Sequence, residues 1–524
     1  MLEVEGTPRT STRLAEVVAA LSLATDMGTG KEPGHAMRMT LVALRLGELM
    51  GLQEAERGTI FYTSLLAMLG CTAGSSTGAS IFGDEIAFGT AFAPLVSAPR
   101  GEMMGWLLRN YASDERFARR LRRLVRLMTA GRAFMTESSA GHCEVAQRLT
   151  RRLGVSDAVL DALGSVFERW DGSGGPRGLR GGATPLAVRV AHVAWDIDVF
   201  GGDGGVEAWS AVLRRRRGRT LDPVVVDAAL AAADGVHAAL HVASPWDALL
   251  AAEPGPPLLT ADVDAAASVI ADFVDLKSDH LAGHSRAVAA LSGAAASLLG
   301  MDAVCVDRVR RAGLVHDLGR IAVSTSIWDK PGPLSDAEWE AVRLHAYHGE
   351  RILCRTALLG EAAAVAGMHH ERCDGSGYHR GAAAAQLGPE ARVVAAADAF
   401  AAMTESRAHR RALSAGEAAR ELSEEARRGR LDAGAVSAVI QAAGEDASGV
   451  AARSSLPAEL SEREVDVLAL VARGLATKQV AARLGISPKT ADHHLQSCYR
   501  KIGVSTRAGA AVFAMEQGLL VRLG

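Results

Sequence analysis

No two cysteines in this sequence stand at C-x-x-C spacing. The six, Cys71, Cys143, Cys305, Cys354, Cys373 and Cys498, are scattered over 524 residues and fit no disulfide framework, so a reducing cytoplasm is expected. A signal-like apolar core is missing from the N-terminus. The longest uncharged stretch, Gly58 to Gly83, is broken by Gly70, Gly74 and Gly78 and carries many Ser and Thr, a poor composition for a membrane span. We therefore expect a soluble protein with no membrane contact. Aromatics are also scarce, at 4%, while alanine and glycine dominate. Apolar residues recur at three and four spacing in Ala287 to Leu299 and Val465 to Ala472, which predicts an all-α chain. Its length predicts several domains.

Against this plain background, one set of residues carries chemistry. His284, His316, Asp317, His345, His369, His370 and Asp398 supply five imidazoles and two carboxylates that a helical domain could bring to one point. A mixed His/Asp set suits iron or manganese ahead of zinc, and a carboxylate can bridge two ions that clamp a phosphoryl group. The local patterns are Leu314-Val-His-Asp-Leu-Gly-Arg320 and His369-His-Glu-Arg-Cys-Asp-Gly-Ser-Gly-Tyr378. On these motifs, residues from about 275 to 443 resemble the HD-GYP family, bacterial metal-dependent phosphodiesterases whose best-known substrates are cyclic dinucleotides.

The resemblance implies that His284, His316, Asp317 and Asp398 hold one divalent ion while Asp317, His345, His369 and His370 hold the other. Asp317 bridges them, and a water activated between them attacks phosphorus. Two positions depart from the family. Arg320 stands where it has lysine, keeping the charge but as a planar fork, and His379 replaces the proline of Gly-Tyr-Pro. His280, four residues before His284, is one helical turn away and so on the same face, at a position where some members of the family place an additional metal ligand; a solvated helix-end residue is the plainer reading.

An internal repeat is the second finding. Phe167-Glu-Arg-Trp-Asp-Gly-Ser-Gly-Gly175 copies His370-Glu-Arg-Cys-Asp-Gly-Ser-Gly-Tyr378. The separation His35 to Ala67 equals His284 to His316, and His142 to Val166 equals His345 to His369. The first copy is thus expected to share the fold, with an insertion that includes the basic segment Arg116 to Arg126. Its ligand positions read Ala67-Met68, Val166-Phe167 and Trp195, so we expect no metal and no turnover there. The emptied cavity should be filled by packing side chains. A sensor pocket, a dimerisation surface or mere support remain open roles. The run Arg214 to Arg217 reads as a solvated helix face.

A third domain follows a Gly, Ser and Ala-rich linker. Ser461-Glu-Arg-Glu464 reads as a capping box, a second helix of about Lys478 to Leu484 ends at Gly485, and a third begins at Ser487-Pro488. Three short helices with a tight Gly turn before the last predict a helix-turn-helix. Leu460-Ser-Glu-Arg-Glu464, Ala472-Arg-Gly-Leu475, Val480-Ala-Ala-Arg-Leu484, Ile486-Ser-Pro-Lys-Thr490, His494 and Arg500-Lys-Ile-Gly-Val504 are similar to the LuxR-type DNA-binding domain. That resemblance places the third helix in the major groove and makes Lys478, Lys489, Thr490, His493, Arg500 and Lys501 candidates for double-stranded DNA. The last helix, around Thr506 to Gly518, has an apolar face for pairing into a homodimer.

The expected organisation is a degenerate copy over 1–252, a metal-dependent phosphohydrolase domain over 258–443, a linker over 444–458 and a DNA-binding domain over 459–524. Together these read as a bacterial one-component transcriptional regulator whose metal domain hydrolyses cyclic di-GMP or a related phosphoester. The alternative is a transcription factor whose metal domain only senses a nucleotide, with little or no turnover.

Overall fold

The computed structural model describes residues 12–110, 136–449 and 456–520, apart from the single positions 203, 261, 358 and 409. The basic segment Arg116 to Arg126 lies outside them. Nearly all regular structure is helical, and the one ladder among the described residues pairs Thr12–Arg13 with Leu259–Thr260. The chain divides into two compact units, one of residues 21–73 and 86–258, the other of 1–20, 74–85 and 259–524. The stretch Glu54–Phe82 passes a length and composition test for a membrane span, yet it folds as separate helices Glu54–Leu66 and Ser75–Phe82 joined through a short 3-10 turn.

In the second unit we label α1 Val263–Asp275, α2 His284–Leu298, α3 Ala303–Val315, α4 Asp336–Leu353, α5 Gly360–Ala366, α6 Pro389–Thr404, α7 Ala415–Arg427 and α8 Ala433–Gly449. α2 is central, packed by α3, α6 and α8. Gly313 permits the α2–α3 approach, since a Cβ there would lie 2.7 Å from Ala289 Cα. α8 runs on to Gly449, so the expected linker from 444 begins as helix. His280 is not on α2: the helix starts at His284 behind Gly283, whose φ of 83° ends the preceding turn. The shared helical face expected for His280 and His284 is therefore absent.

The head follows as α9 Glu462–Ala472, α10 Thr477–Leu484, α11 Pro488–Ile502 and α12 Arg507–Glu516. Ser461 and Glu464 form the reciprocal capping box, Gly485 turns at φ 65°, and Ser487 caps α11 ahead of Pro488. Val467, Leu470, Val471, Val480, Ala481, Ala491 and Leu495 make a core of their own.

Two buried carboxylates of the first unit make contacts that recur in the second. Asp26 accepts from the Gly34 and Ala36 amides ahead of His35, as Asp275 accepts from Ser285 beside His284. Burial, opposed by the neighbouring imidazole, pushes both carboxyls up to about 7. Buried Glu168 collects the amides of Arg177, Gly178 and Leu179, and its counterpart Glu371 those of Arg380 and Ala382. The run Arg214 to Arg217 departs from expectation, because Arg216 is 1% exposed and pairs with Asp196 and Glu102. A helix face that meets an internal carboxylate is not solvated throughout.

Glu168 is 0% exposed, and removing its carboxylate would take the acceptor from three part-buried loop amides. Glu168→Ala should cost the first unit about 3 kcal/mol or more, read as a lower thermal unfolding transition. Transitions of wild type and variant that coincide would show that the loop finds other partners.

Candidate metal centre and DNA-binding face

Three of the five imidazoles are aimed by the backbone of their own turn. The Nδ1 of His316, His345 and His369 donates to the carbonyl three residues earlier, Gly313, Val342 and Ala366. That bond fixes the tautomer and turns the Nε2 lone pair inward. His284 is held instead by Glu405, 3.0 Å from Nδ1. Gly319 explains the glycine after His-Asp: a Cβ there would sit 1.8 Å from the His345 carbonyl oxygen, so only glycine lets the turn carrying Asp317 press against α4.

All seven side chains meet. Nε2 of His345 and His369 lie 3.4 and 3.6 Å from Asp317 Oδ1, whereas Nε2 of His284 and His316 lie 3.6 and 3.3 Å from Oδ2. One carboxylate thus offers one oxygen to each pair of imidazoles. Asp398 Oδ1 is 3.3 Å from His284 and Oδ2 is 3.7 Å from His370 Nδ1. The donor atoms gather as His284, His316, Asp398 on one side and His345, His369, His370 on the other.

The donor set fits bound cations. His284 Nε2, His316 Nε2 and both Asp317 oxygens are buried without a well-directed hydrogen bond, a costly arrangement unless something positive lies among them. Burial opposes ionisation of Asp317 and Asp398, yet Arg320 with His316 and His345 holds Asp317 well below the usual range, and His284 with His370 and His316 does the same for Asp398. Burial also pushes His369 down to about 4, so it stays neutral and able to ligate.

Two arginines face this pair of carboxylates. Arg320 Nε is 2.8 Å from Asp317 Oδ2, and its guanidinium lies 4.2 Å over the Trp328 ring. Arg407 reaches Glu405 at 2.8 Å and His284 Nδ1 at 3.4 Å. The Trp328 wall is pinned from the 74–85 segment. Glu85 bonds the Thr325 amide and Ser324 hydroxyl and pairs with buried Lys277 at 3.1 Å. Sequence reasoning missed Glu405, Arg407, Trp328 and Glu85. Arg407 had a signal, standing nine residues after Asp398 where α6 ends; Glu85, some 240 residues from Thr325, had none.

In the first unit, imidazoles and apolar groups fill the equivalent space. His142 Nε2 donates to the Ala67 carbonyl and His192 Nε2 to that of Val166, each at 2.7 Å. Burial pushes both down to about 4. Trp195 donates to the Ala93 carbonyl and meets His35 edge-on, and His35 Nδ1 pairs with Asp198. Met39, Met68, Val166, Phe167 and Trp195 line what is left, a cavity of about 30 Å³, room for about one water.

On α11, Lys489, His493 and Arg500 are exposed and fall on one face by their spacing of four and seven. Lys478 on α10 is exposed as well. Thr490 is exposed, with its hydroxyl 2.7 Å from the capping Ser487. Lys501 turns toward its own domain, 2.8 Å from Glu464 and from the Glu459 carbonyl.

Comparison with known proteins agrees with this division. Residues 268–434 match the HD domain family and 458–514 the luxR family of bacterial regulatory proteins. The chain joins an HD domain to a LuxR-family domain. It is 29% identical to the 3'3'-cGAMP-specific phosphodiesterase 3 of Vibrio cholerae over 76% of this chain and 88% of that protein. The cyclic di-GMP phosphodiesterase of Thermotoga maritima is 35% identical, over 30% of this chain and 42% of its own. The Bacillus subtilis transcriptional regulatory protein YdfI is 42% identical over 12% of this chain and 29% of its own length. A crystal structure of the cyclic GMP-AMP specific phosphodiesterase from V. cholerae superposes with a TM-score of 0.57 at 26% identity, covering 83% of this chain and 98% of that one. HD-domain phosphohydrolases are metal-dependent.

If Gly319 sets the spacing of the HD-domain centre, Gly319→Ala should weaken metal retention at least about tenfold although no donor atom is altered. Manganese titration of the metal-stripped protein measures it; an unchanged affinity would mean that α4 yields without cost.

Proposed function

We propose that the chain is a one-component transcriptional regulator whose HD domain is a two-metal phosphodiesterase for a cyclic dinucleotide, cyclic di-GMP or 3'3'-cGAMP. The observation that carries this reading is the Asp317 carboxylate, with one oxygen toward His284 and His316 and the other toward His345 and His369. Asp398 and His370 complete the two donor groups. Two divalent cations, iron or manganese, would be held there and would supply charge on the phosphoryl oxygens and a more acidic water. The chain itself contributes orientation. Glu405 fixes the His284 ring, and the i−3 carbonyls fix the others. Arg320 and Arg407 bring two permanent positive charges to the mouth, where a phosphodiester would exchange with the existing carboxylate partners. Tyr378 lies against His370, ring centroids 4.6 Å apart, and closes that side to solvent.

A second reading, a nucleotide sensor with little or no turnover, draws support from Arg320. Its pairing with Asp317 and stacking on Trp328 hold it more firmly than a mobile lysine would be held. In either case the head binds double-stranded DNA through α11, with Lys489 and Thr490 at its first turn and Lys478, His493 and Arg500 beside them. Lys501 serves the fold of the head instead, since Glu464 neutralises it. Two heads on a two-fold site match the spacing of one helical turn. The first unit lends structure and, with its space filled, no second metal centre. A cytoplasmic location follows from the DNA partner.

Purified protein should carry close to two transition-metal ions per chain, and Asp317→Ala should lose both by elemental analysis. Manganese- or iron-loaded protein should hydrolyse cyclic di-GMP, 3'3'-cGAMP or an aryl phosphodiester, with His316→Ala reducing turnover at least about 100-fold. Intact substrates under anaerobic iron loading, together with nucleotide binding that alters DNA affinity, would leave the sensor reading in place of the enzyme.

Lys489→Ala should weaken DNA binding about tenfold without unfolding the head, and the slope against salt should fall by about one ion. Equal affinities for the two proteins in a mobility-shift titration would move the contact elsewhere on the head.

A further inference from the structure

The last helix of the head is buried along its length. Every residue from Gly509 to Met515 on α12 is buried, and a helix covered on all faces has neighbours on all sides. α9 and α11 cover one side, and α1 of the HD domain covers another. The seam continues past the helix end. A Cβ on Gly283 would lie 3.1 Å from Leu520 Cδ1, and one on Gly474 would lie 2.5 Å from Asp279. Opposite charges interact across it: Arg507 with Asp279, Glu516 with Arg286, and Arg473 with Glu405. Gly283 immediately precedes His284, and Glu405 is the partner of its ring, so the head rests on the rim of the metal centre. The α11 face with Lys489, His493 and Arg500 stays exposed.

We propose that this seam is a latch in which the HD domain occupies the α12 face that a second copy of this chain would use for pairing. The proposal rests on the DNA-binding reading above and names how that head is restrained. A latched chain presents its recognition face singly, and a two-fold site is held at full strength only after α12 is released to a partner. Because the seam is charged as well as apolar, reversing one member of a pair should open it, and exchanging both should close it again.

The experiment compares the full chain as wild type, Asp279→Arg, Arg507→Asp and the exchanged pair. Hydrogen exchange of the α12 amides should speed at least about tenfold in each single variant and return in the exchanged pair, while α9 and α2 keep their protection. Identical α12 protection in all four proteins would overturn the latch. The same proteins are then titrated with a duplex enriched from a random-sequence pool. Asp279→Arg, which leaves the head's own residues intact, should bind about tenfold more tightly and sediment as a dimer. Opening of α12 without a gain in affinity or self-association would overturn the masking role. Should none of the four bind any duplex, the DNA-binding reading fails, and the exchange data alone still decide whether the seam is held as described.

Discussion

Two carboxylates buried among five imidazoles set the terms for the rest of the HD domain. Asp317 and Asp398 are 1% and 5% exposed, and an ionised carboxylate at such depth is tolerated only with positive charge around it. The neighbouring helices answer that demand. α2, α3 and α4 each deliver an imidazole to one point, α6 contributes Asp398, and the segment after α5 brings His369 and His370. Gly313 and Gly319 are where the packing that achieves this is tightest. Arg320 beside Asp317, and Arg407 beside Glu405, add charge that does not depend on the protonation of an imidazole.

The first unit shows the same framework with the constraint removed. Its carboxylate positions are Met68 and Trp195, so the carboxylates that would hold two cations are gone, and the imidazoles in that space serve another purpose. His142 donates to the carbonyl of Ala67, in the place where His316 stands in the HD domain, and His192 donates to Val166, in the place of His369. What was retained is the scaffold for the backbone: Asp26 ahead of His35, and Glu168 under the glycine loop. These carboxylates are satisfied by amides, not cations, and for that reason they outlast the loss of the site. The framework folds without its chemistry.

How much of this was legible in the sequence depended on range. Ser461-Glu-Arg-Glu464, Gly485 and Ser487-Pro488 act through local geometry, and each begins or ends a helix where its pattern places it. Four of the seven metal-site candidates sit in two short motifs, the other three, His284, His345 and Asp398, came with the family resemblance, and the repeat could be aligned because its spacings are kept. What could not be read acts over distance. Glu85 and Thr325 meet through an insertion with no counterpart in the second copy, and Arg216 looked solvated because its partner Asp196 lies in another helix. His280 misled for a local reason: spacing of four implies a shared face only when one helix holds both residues, and Gly283 starts a new one.

The position of the head follows from the same logic of range. The first three helices of the head share a core of seven side chains, and the fourth, Arg507–Glu516, buries Val512, Phe513 and Met515 among smaller residues. Such a helix can pack against a second copy, at the added cost of association, or against its own chain. What separates them is charge. Asp279, Arg286 and Glu405 lie on the HD domain opposite Arg507, Glu516 and Arg473, pairs that another copy's α12 would not reproduce in register. Glu405 belongs to both networks, holding the His284 ring on one side and attracting the head on the other.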